Sequence, residues 1–179
     1  MTPLEDFFSE YDDFDYQPRR SATSEFHRLC RHKQWGRYDA DRDEAHENFK
    51  SALVREFNLN YGTEASLEGW QALCERLGVD PIPTTLKAAR EAVKATHVNL
   101  VDLTQGADGR DVVIFPTEVA LSNYTKETGR FFPRDHLEAG DLLRNLLRRI
   151  MNPRSEGEYN RTELNGSYRR PKKRNAVIN

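Results

Sequence analysis

Apolar residues recur at helical spacing along most of this chain, and this periodicity constrains the fold more than any other feature. The clearest stretch carries Ala45, Phe49, Ala52, Leu53 and Phe57, whose spacing places all five on one face of an α-helix. Similar stripes follow one another from residue 21 to residue 151. A helix with one apolar face must bury that face against another element. The sequence therefore predicts a mainly α, single compact multi-helix domain.

The ends of these stripes predict six or seven helices. Ser21 begins a helix that runs to about residue 34, and Asp41 with Glu44 resembles a capping box before the next helix. Ser66 opens another helix, which ends at Gly78. Further helices are predicted after Thr84, from Pro116 to Gly129 and from about residue 135 to 151, with a short one over residues 4–10.

One stretch favours a strand. Val112–Phe115 is rich in β-branched residues. Because a single strand cannot satisfy its own backbone groups, residues 98–103 are the expected partner, although they also fit a short helix. We therefore expect at most a small two-stranded β ribbon, at about 98–103 and 112–115.

Charge divides the chain into three parts. Residues 1–18 are acidic and aromatic, residues 19–151 carry the helical stripes, and residues 152–179 form a basic tail. There are 20 Lys and Arg against 26 Asp and Glu up to Ile150, and 7 against 3 from Met151 onward. We expect one helical domain with a flexible tail, since polar termini bury little apolar surface.

The N-terminal segment permits two interpretations. Its aromatic residues stand among aspartates and glutamates, and they are Phe7, Phe8, Tyr11, Phe14 and Tyr16. We favour packing on the body, because large apolar side chains are usually buried where a core is available. The alternative is an acidic-aromatic docking segment for a partner protein.

Few residues suggest catalysis or a cofactor. The histidines and cysteines show no paired zinc spacing, and the motifs of phosphate loops and nucleophile elbows are absent. We assign no catalytic, metal or cofactor-binding residue, and no cofactor. Cys30 and Cys74 are expected to be small buried thiols. The polar trio His97, Asn99 and Asp102 either satisfies backbone groups at the end of an element, which we favour, or forms an enzyme site.

Two groups of basic residues give the strongest functional signal. The predicted last helix carries Arg144, Arg148 and Arg149 opposite its leucine stripe. This basic face fits a nucleic-acid contact, although arginines in a last helical turn also complement the helix dipole. A run in the tail is typical of a nuclear-import signal, a nucleic-acid contact or a solvated terminus. Its basic residues are Arg169, Arg170, Lys172, Lys173 and Arg174.

Several short motifs occur in a distinctive order along about residues 7–151. They include Glu25-Phe26-x-x-Leu29, Trp70-x-x-Leu73-Cys74-x-x-Leu77-Gly78, Pro81-x-Pro83, His97-Val98-Asn99-Leu100-x-Asp102-Leu103 and Phe131-Phe132-Pro133. The combination resembles a family of small uncharacterised proteins of filamentous fungi. This resemblance implies a fungal, intracellular, largely helical protein, and it implies no activity, cofactor or site residue.

These observations together predict a non-catalytic intracellular adaptor or regulatory protein that contacts an unidentified protein partner. Nothing resembles a secretory signal or a membrane span, so we expect a location in the cytoplasm, the nucleus or both, with no membrane partner. The first alternative is a nucleic-acid-binding protein that uses the last helix and the tail. The second is an enzyme with a site around His97 and Asp102.

Overall fold

In a computed structural model of the chain, residues 1–62, 66–105, 112–134 and 136–154 are described. These ranges contain eight helices: α1 Pro3–Ser9, α2 Ala22–His32, α3 Ala40–Tyr61, α4 Leu67–Arg76, α5 Leu86–Ala95, α6 Leu100–Gln105, α7 Glu118–Thr128 and α8 Asp141–Leu146. Two strands, β1 His97–Val98 and β2 Ile114–Phe115, pair antiparallel. The prediction of a mainly α fold with a small two-stranded ribbon is confirmed.

Side-chain oxygens cap four helix starts in addition to that of α6, which is described below. Each accepts a hydrogen bond from a backbone N–H in the first turn, which the helix itself leaves unpaired. The capping residues are Thr2, Ser66, Thr85 and Thr117. Gly78 and Gly129 follow α4 and α7 with positive φ, a conformation that favours glycine at a helix end. Both glycine stops were predicted.

The predicted starts of α3, α5 and α7 are shifted by one or two residues. The helix α3 begins after Asp39, so Asp41 lies in its first turn rather than at its cap. The second of two adjacent threonines, Thr85, caps α5. Because Thr117 caps α7, Pro116 precedes the cap and is not the first helical residue. At α5 the sequence offers two adjacent threonines, and the backbone places the second of them at the cap.

The long helix α3 contributes to both apolar clusters of the core. Its first half packs with α1 and α2 through a cluster that includes Phe7, Phe8, Phe26, Leu29, Phe49 and Leu53. Its second half packs with α4, α5, α6 and α8 through a cluster that includes Phe57, Trp70, Leu73, Val93, Leu103 and Leu143. Phe132 is half-buried against both clusters. The predicted stripe of α3 is therefore buried along its whole length.

The N-terminal segment is packed into the first cluster. Phe7, Phe8 and Phe14 are buried, and Tyr11 and Tyr16 are half-buried against them. The ring centroid of Phe8 lies 4.1 Å from that of Tyr16, with the rings stacked. This burial confirms the packing interpretation. The docking interpretation is wrong for Phe7, Phe8 and Phe14, because a partner cannot reach side chains that are already buried in the core.

A buried carboxylate fixes where α1 sits. Glu56 is 9% exposed, and its Oε2 accepts a hydrogen bond from the backbone N–H of Leu4 at 3.1 Å. Leu4 lies in the first turn of α1, whose N–H groups have no partner within the helix. A carboxylate at a helix N-terminus also complements the helix dipole. This contact joins the N-terminal segment to α3.

The ambiguous stretch at 97–103 contains both a strand and a helix. After β1, the side chain of Asn99 turns the chain into α6, because its Oδ1 accepts hydrogen bonds from the backbone N–H groups of Val101 and Asp102. The strand interpretation of residues 98–103 therefore holds only at Val98, and the alternative of a short helix is confirmed from Leu100 onward. The predicted partner strand at 112–115 shortens to Ile114–Phe115. The side chain of Asn99 binds the backbone N–H groups of Val101 and Asp102, so these groups are not available for hydrogen bonds between the two strands.

The last helix is much shorter than predicted. Residues 147–151 leave the helix, and the backbone at Leu147 is extended, with ψ 129°. Leu142, Leu143 and Leu146 are buried as the leucine stripe predicts, whereas Met151 is 75% exposed. Contacts of Arg148 with the end of α5, described below, hold this extended segment. The prediction of a helix over about 135–151 is thus wrong on both sides of Asp141–Leu146.

Two further expectations concern the cysteines and the membrane. Cys30 and Cys74 are buried free thiols, and burial raises the pKa of both. Within the ranges given above, no helix combines the length and hydrophobicity that crossing a bilayer requires.

Candidate functional site

Basic side chains from distant parts of the sequence meet in one cleft of about 680 Å³. The end of α5, the strand β1, the start of α7, the loop before α8, α8 itself and the segment after it form the walls. Six lysines or arginines line this basic cleft: Lys94, Arg134, Arg144, Arg148, Arg149 and Arg154. Among the residues whose side chains the structure describes, two carboxylates line it, Glu91 and Glu118. The lining is therefore strongly positive, although the chain as a whole has a formal net charge of −2.

Arg148 has a structural role in this cleft. Its Nη2 donates to the carbonyl oxygens of Lys94 at 2.8 Å and Thr96 at 3.0 Å, and its Nη1 donates to that of Asn145 at 2.8 Å. The first two acceptors lie at the C-terminal end of α5, where carbonyl groups lack helical partners and the dipole favours a cation. Arg148 thus attaches the segment after α8 to α5.

The three arginines of the predicted basic face therefore do not share a helical face. Only Arg144 lies in α8, while Arg148 and Arg149 follow its end. Arg144 and Arg149 are exposed, whereas Arg148 is half-buried. The sequence analysis grouped the three arginines together. In the structure Arg148 stabilises the fold, whereas Arg144 and Arg149 face solvent in the cleft.

Glu118 and His97 form the inner wall. Glu118 is 3% exposed, and its Oε1 accepts a hydrogen bond from the backbone N–H of Arg149 at 2.9 Å. His97 is 9% exposed. Burial, and then the positive charge of Arg148, hold the pKa of His97 below its ordinary value, and Glu118 opposes this effect. The positive charge of the cleft therefore comes mainly from its lysine and arginines.

Four guanidinium groups of the cleft have no partner among the residues that the structure describes. Arg134, Arg144, Arg149 and Arg154 are exposed, and their guanidinium groups form no ion pair with any acidic side chain whose placement the structure describes. Elsewhere the described arginines are often paired, as Arg55 is with Glu138 at 3.0 Å. The unpaired charges of the cleft are therefore concentrated where an anionic ligand would meet several of them at once.

His97 and Asp102 point to different places. His97 lines the basic cleft, and Asp102 does not. The Oδ2 atom of Asp102 accepts a hydrogen bond from the Tyr124 hydroxyl at 2.7 Å, and its Oδ1 is paired with the guanidinium of Arg130. Burial, and then the hydrogen bond with Asp102, raise the pKa of Tyr124. Asp102 therefore ties α6 to α7 and to the loop after it.

Asn99 satisfies backbone groups, as we favoured for the trio. The Oδ1 atom of Asn99 caps α6, as described above. Its Nδ2 atom donates to the backbone carbonyl of Arg130 and to the hydroxyl of Thr125, both at 3.0 Å. Asn99 is 3% exposed, so each of these bonds satisfies a group that burial would otherwise leave without a partner.

An apolar pocket of about 250 Å³ adjoins the basic cleft. Its apolar lining includes Val98, Leu121, Phe131, Phe132, Ile150 and Met151. Four residues line both cavities, namely Arg134, Leu147, Arg148 and Arg149. The segment after α8 thus lies between the apolar pocket and the basic cleft and lines both.

Sequence reasoning missed half of this site. Lys94, Arg134 and Arg154 were not selected, because no periodic pattern connects them with Arg144 and Arg149. The motif Phe131-Phe132-Pro133 entered only as part of the family resemblance, and the structure places Phe131 and Phe132 in the pocket. The tail residues 169–174 lie outside the described ranges. Among the residues that are described, no group of three or more His, Cys, Asp or Glu side chains could hold a metal ion.

Comparisons of the chain with protein-family models, with curated proteins and with solved structures found no match. The resemblance to a fungal family therefore stays a prediction, and the proposal about function rests on the geometry and charge of the site.

Proposed function

We propose that this chain is a non-catalytic intracellular adaptor or regulatory protein that binds an acidic segment of a partner protein in the basic cleft. The observation that carries the proposal is a group of four exposed guanidinium groups around one concavity, none of which is paired with a described acidic side chain. Guanidinium groups bind carboxylates with two parallel hydrogen bonds. Like charges held together without a counter-charge repel one another, so an anionic ligand gains from several of them at once.

An acidic protein segment fits this site better than nucleic acid does. Non-specific binding of DNA or RNA needs an extended basic surface that follows many phosphates. Here the unpaired arginines surround a cleft in a body that is acidic outside it, with 26 Asp and Glu against 20 Lys and Arg up to Ile150. The net negative charge of this part of the chain would repel a long polyanion. A short segment would meet only the cleft.

The basic tail adds to the same positive region of the sequence. Arg154 lines the cleft, and the run from Arg169 to Arg174 follows it along the chain. Import into the nucleus through this run stays part of the proposal, with the cytoplasm and the nucleus as expected locations. An import receptor would bind basic residues of the tail, whereas the acidic partner would bind arginines of the cleft.

The test uses the full-length chain and fluorescence anisotropy of a labelled peptide in which glutamate alternates with glycine. We expect saturable binding that weakens as salt is added, because exposed charges are screened. The double variant Arg144→Gln/Arg149→Gln should bind about ten-fold more weakly or worse, since it loses two charge-assisted contacts. The matched control Arg31→Gln removes an exposed arginine of α2 that does not line the cleft, and it should bind as the wild type does.

Two results would overturn the proposal. If labelled DNA or RNA of generic sequence binds at low salt while the glutamate peptide does not, the cleft is a nucleic-acid site. If Arg31→Gln weakens binding as much as the double variant does, the peptide is held by overall charge rather than by the cleft.

A further inference from the structure

We infer that the apolar pocket receives one large apolar side chain of the partner, so that the recognised segment is an apolar anchor flanked by carboxylates. This inference rests on the proposed function and adds the part of the ligand that gives specificity. Charge alone tolerates many acidic segments, whereas a shaped pocket selects among them.

The size of the pocket fits a single side chain. A cavity of about 150 Å³ holds one benzene molecule, and this pocket measures about 250 Å³. That volume accommodates one aromatic or branched aliphatic side chain. The walls come from residues that are themselves well packed, such as Leu121 and Leu146, both about 1% exposed. Phe131 and Met151 stand at the mouth and are 44% and 75% exposed.

The shared wall couples the two cavities. Leu147 and Arg149 line both the pocket and the cleft, so the neighbours of an anchored side chain lie beside the unpaired guanidinium groups. Arg148 holds this wall against α5 through the bonds described above, which preorganises the site. A preorganised site loses less conformational entropy on binding than a mobile one.

Charge complementarity selects the occupant. A basic segment, including the run from Arg169 to Arg174 of this chain, would be repelled by Arg134 and Arg149 at the edge of the pocket. An apolar residue between acidic neighbours satisfies both cavities. The occupant is therefore a segment of another protein in which leucine or an aromatic residue stands among glutamates, aspartates or both.

The experiment compares three labelled peptides on the full-length chain: the glutamate–glycine peptide, the same peptide with a central leucine, and a lysine–glycine peptide with the same leucine. Burial of a leucine side chain in the pocket stabilises the complex. We therefore expect the acidic peptide with leucine to bind about ten-fold more tightly than the same peptide without leucine. The lysine peptide should not bind.

Pocket variants give the second measurement. In Phe131→Ser and Met151→Ser, which change exposed side chains at the mouth, the advantage of the leucine should largely disappear while binding of the parent peptide is kept. In the control Leu59→Ser, which changes a side chain that is 64% exposed and lies outside both cavities, the advantage should persist. Arg144→Gln/Arg149→Gln should weaken both acidic peptides by the same factor.

The outcomes separate this inference from the proposed function. If both acidic peptides bind equally well, the anchor is overturned and the cleft remains. If the lysine peptide with leucine binds as tightly as the acidic one, the pocket works without the cleft and the composite ligand is overturned. If neither acidic peptide binds, the proposed function fails and the anchor fails with it.

Discussion

Replacing Arg148 with methionine removes a guanidinium group that joins two distant parts of the fold and keeps most of the apolar stem. In the wild type this group donates to the carbonyl oxygens of Lys94 and Thr96, at 2.8 and 3.0 Å, across more than fifty residues of sequence. Both acceptors lie at the end of α5. The variant leaves them without this cation, and it releases the segment after α8.

The magnitude follows from the geometry. A hydrogen bond to a charged group contributes about 1.5–3 kcal/mol to stability, and two of the bonds have good distances. Arg148 is half-buried, so water replaces part of what is lost, and the lower end of the range applies. We expect the free energy of unfolding to fall by about 3 kcal/mol, which lowers Tm by about 6–12 °C for a chain of this length.

The assay is thermal and urea unfolding followed by circular dichroism, with Arg144→Met and Arg149→Met as matched controls. Both controls remove an exposed guanidinium that has no partner in the described part of the chain, so their free energy of unfolding should change by less than about 0.5 kcal/mol. If the Arg148, Arg144 and Arg149 variants are equally stable, Arg148 does not stabilise the fold as we describe. The three arginines would then be better interpreted as one basic surface.

Two further predictions concern the N-terminal segment and His97. Phe8→Ala should lower the free energy of unfolding, measured in urea, by about 3–5 kcal/mol, because Phe8 is only 1% exposed. The control Tyr38→Ala changes a side chain that is 88% exposed and should alter the free energy of unfolding little. If both variants have equally small effects, the N-terminal segment is not packed on the body. Because burial and Arg148 lower the pKa of His97 in the folded state, the unfolded state binds a proton more readily. Stability should therefore fall as pH drops below about 6.5. His97→Gln should lose less stability than the wild type between pH 7 and pH 5, and an identical pH dependence would contradict this assignment.

The sequence predicted well where the signal was local. The stripe of α3, the cap at Ser66 and the glycine stops at Gly78 and Gly129 all depend on residues within a few positions of one another. The burial of Phe7 and Phe8 was also predictable, since five aromatic side chains in one short segment bury a large apolar area when a core is available.

The basic cleft was only half predicted, because its residues come from separate elements. Arg144 and Arg149 were identified as basic candidates from their neighbourhood in sequence. Lys94 and Arg134 belong to the end of α5 and to a loop, and no spacing rule relates them to the segment after α8. Lys94 and Arg134 are related to Arg144 and Arg149 only by their positions around one concavity. No local sequence pattern predicts that proximity.

By itself, therefore, the sequence determined the helical class of this protein, several helix ends and the apolar face of α3, because these depend on short-range spacing and capping. The tertiary structure decided where the last helix stops and what its arginines do. The leucine pattern continues past Leu146, yet the chain turns away there. The carbonyl groups at the end of α5 bind the guanidinium of Arg148, and this long-range contact outweighs the local preference for one more helical turn.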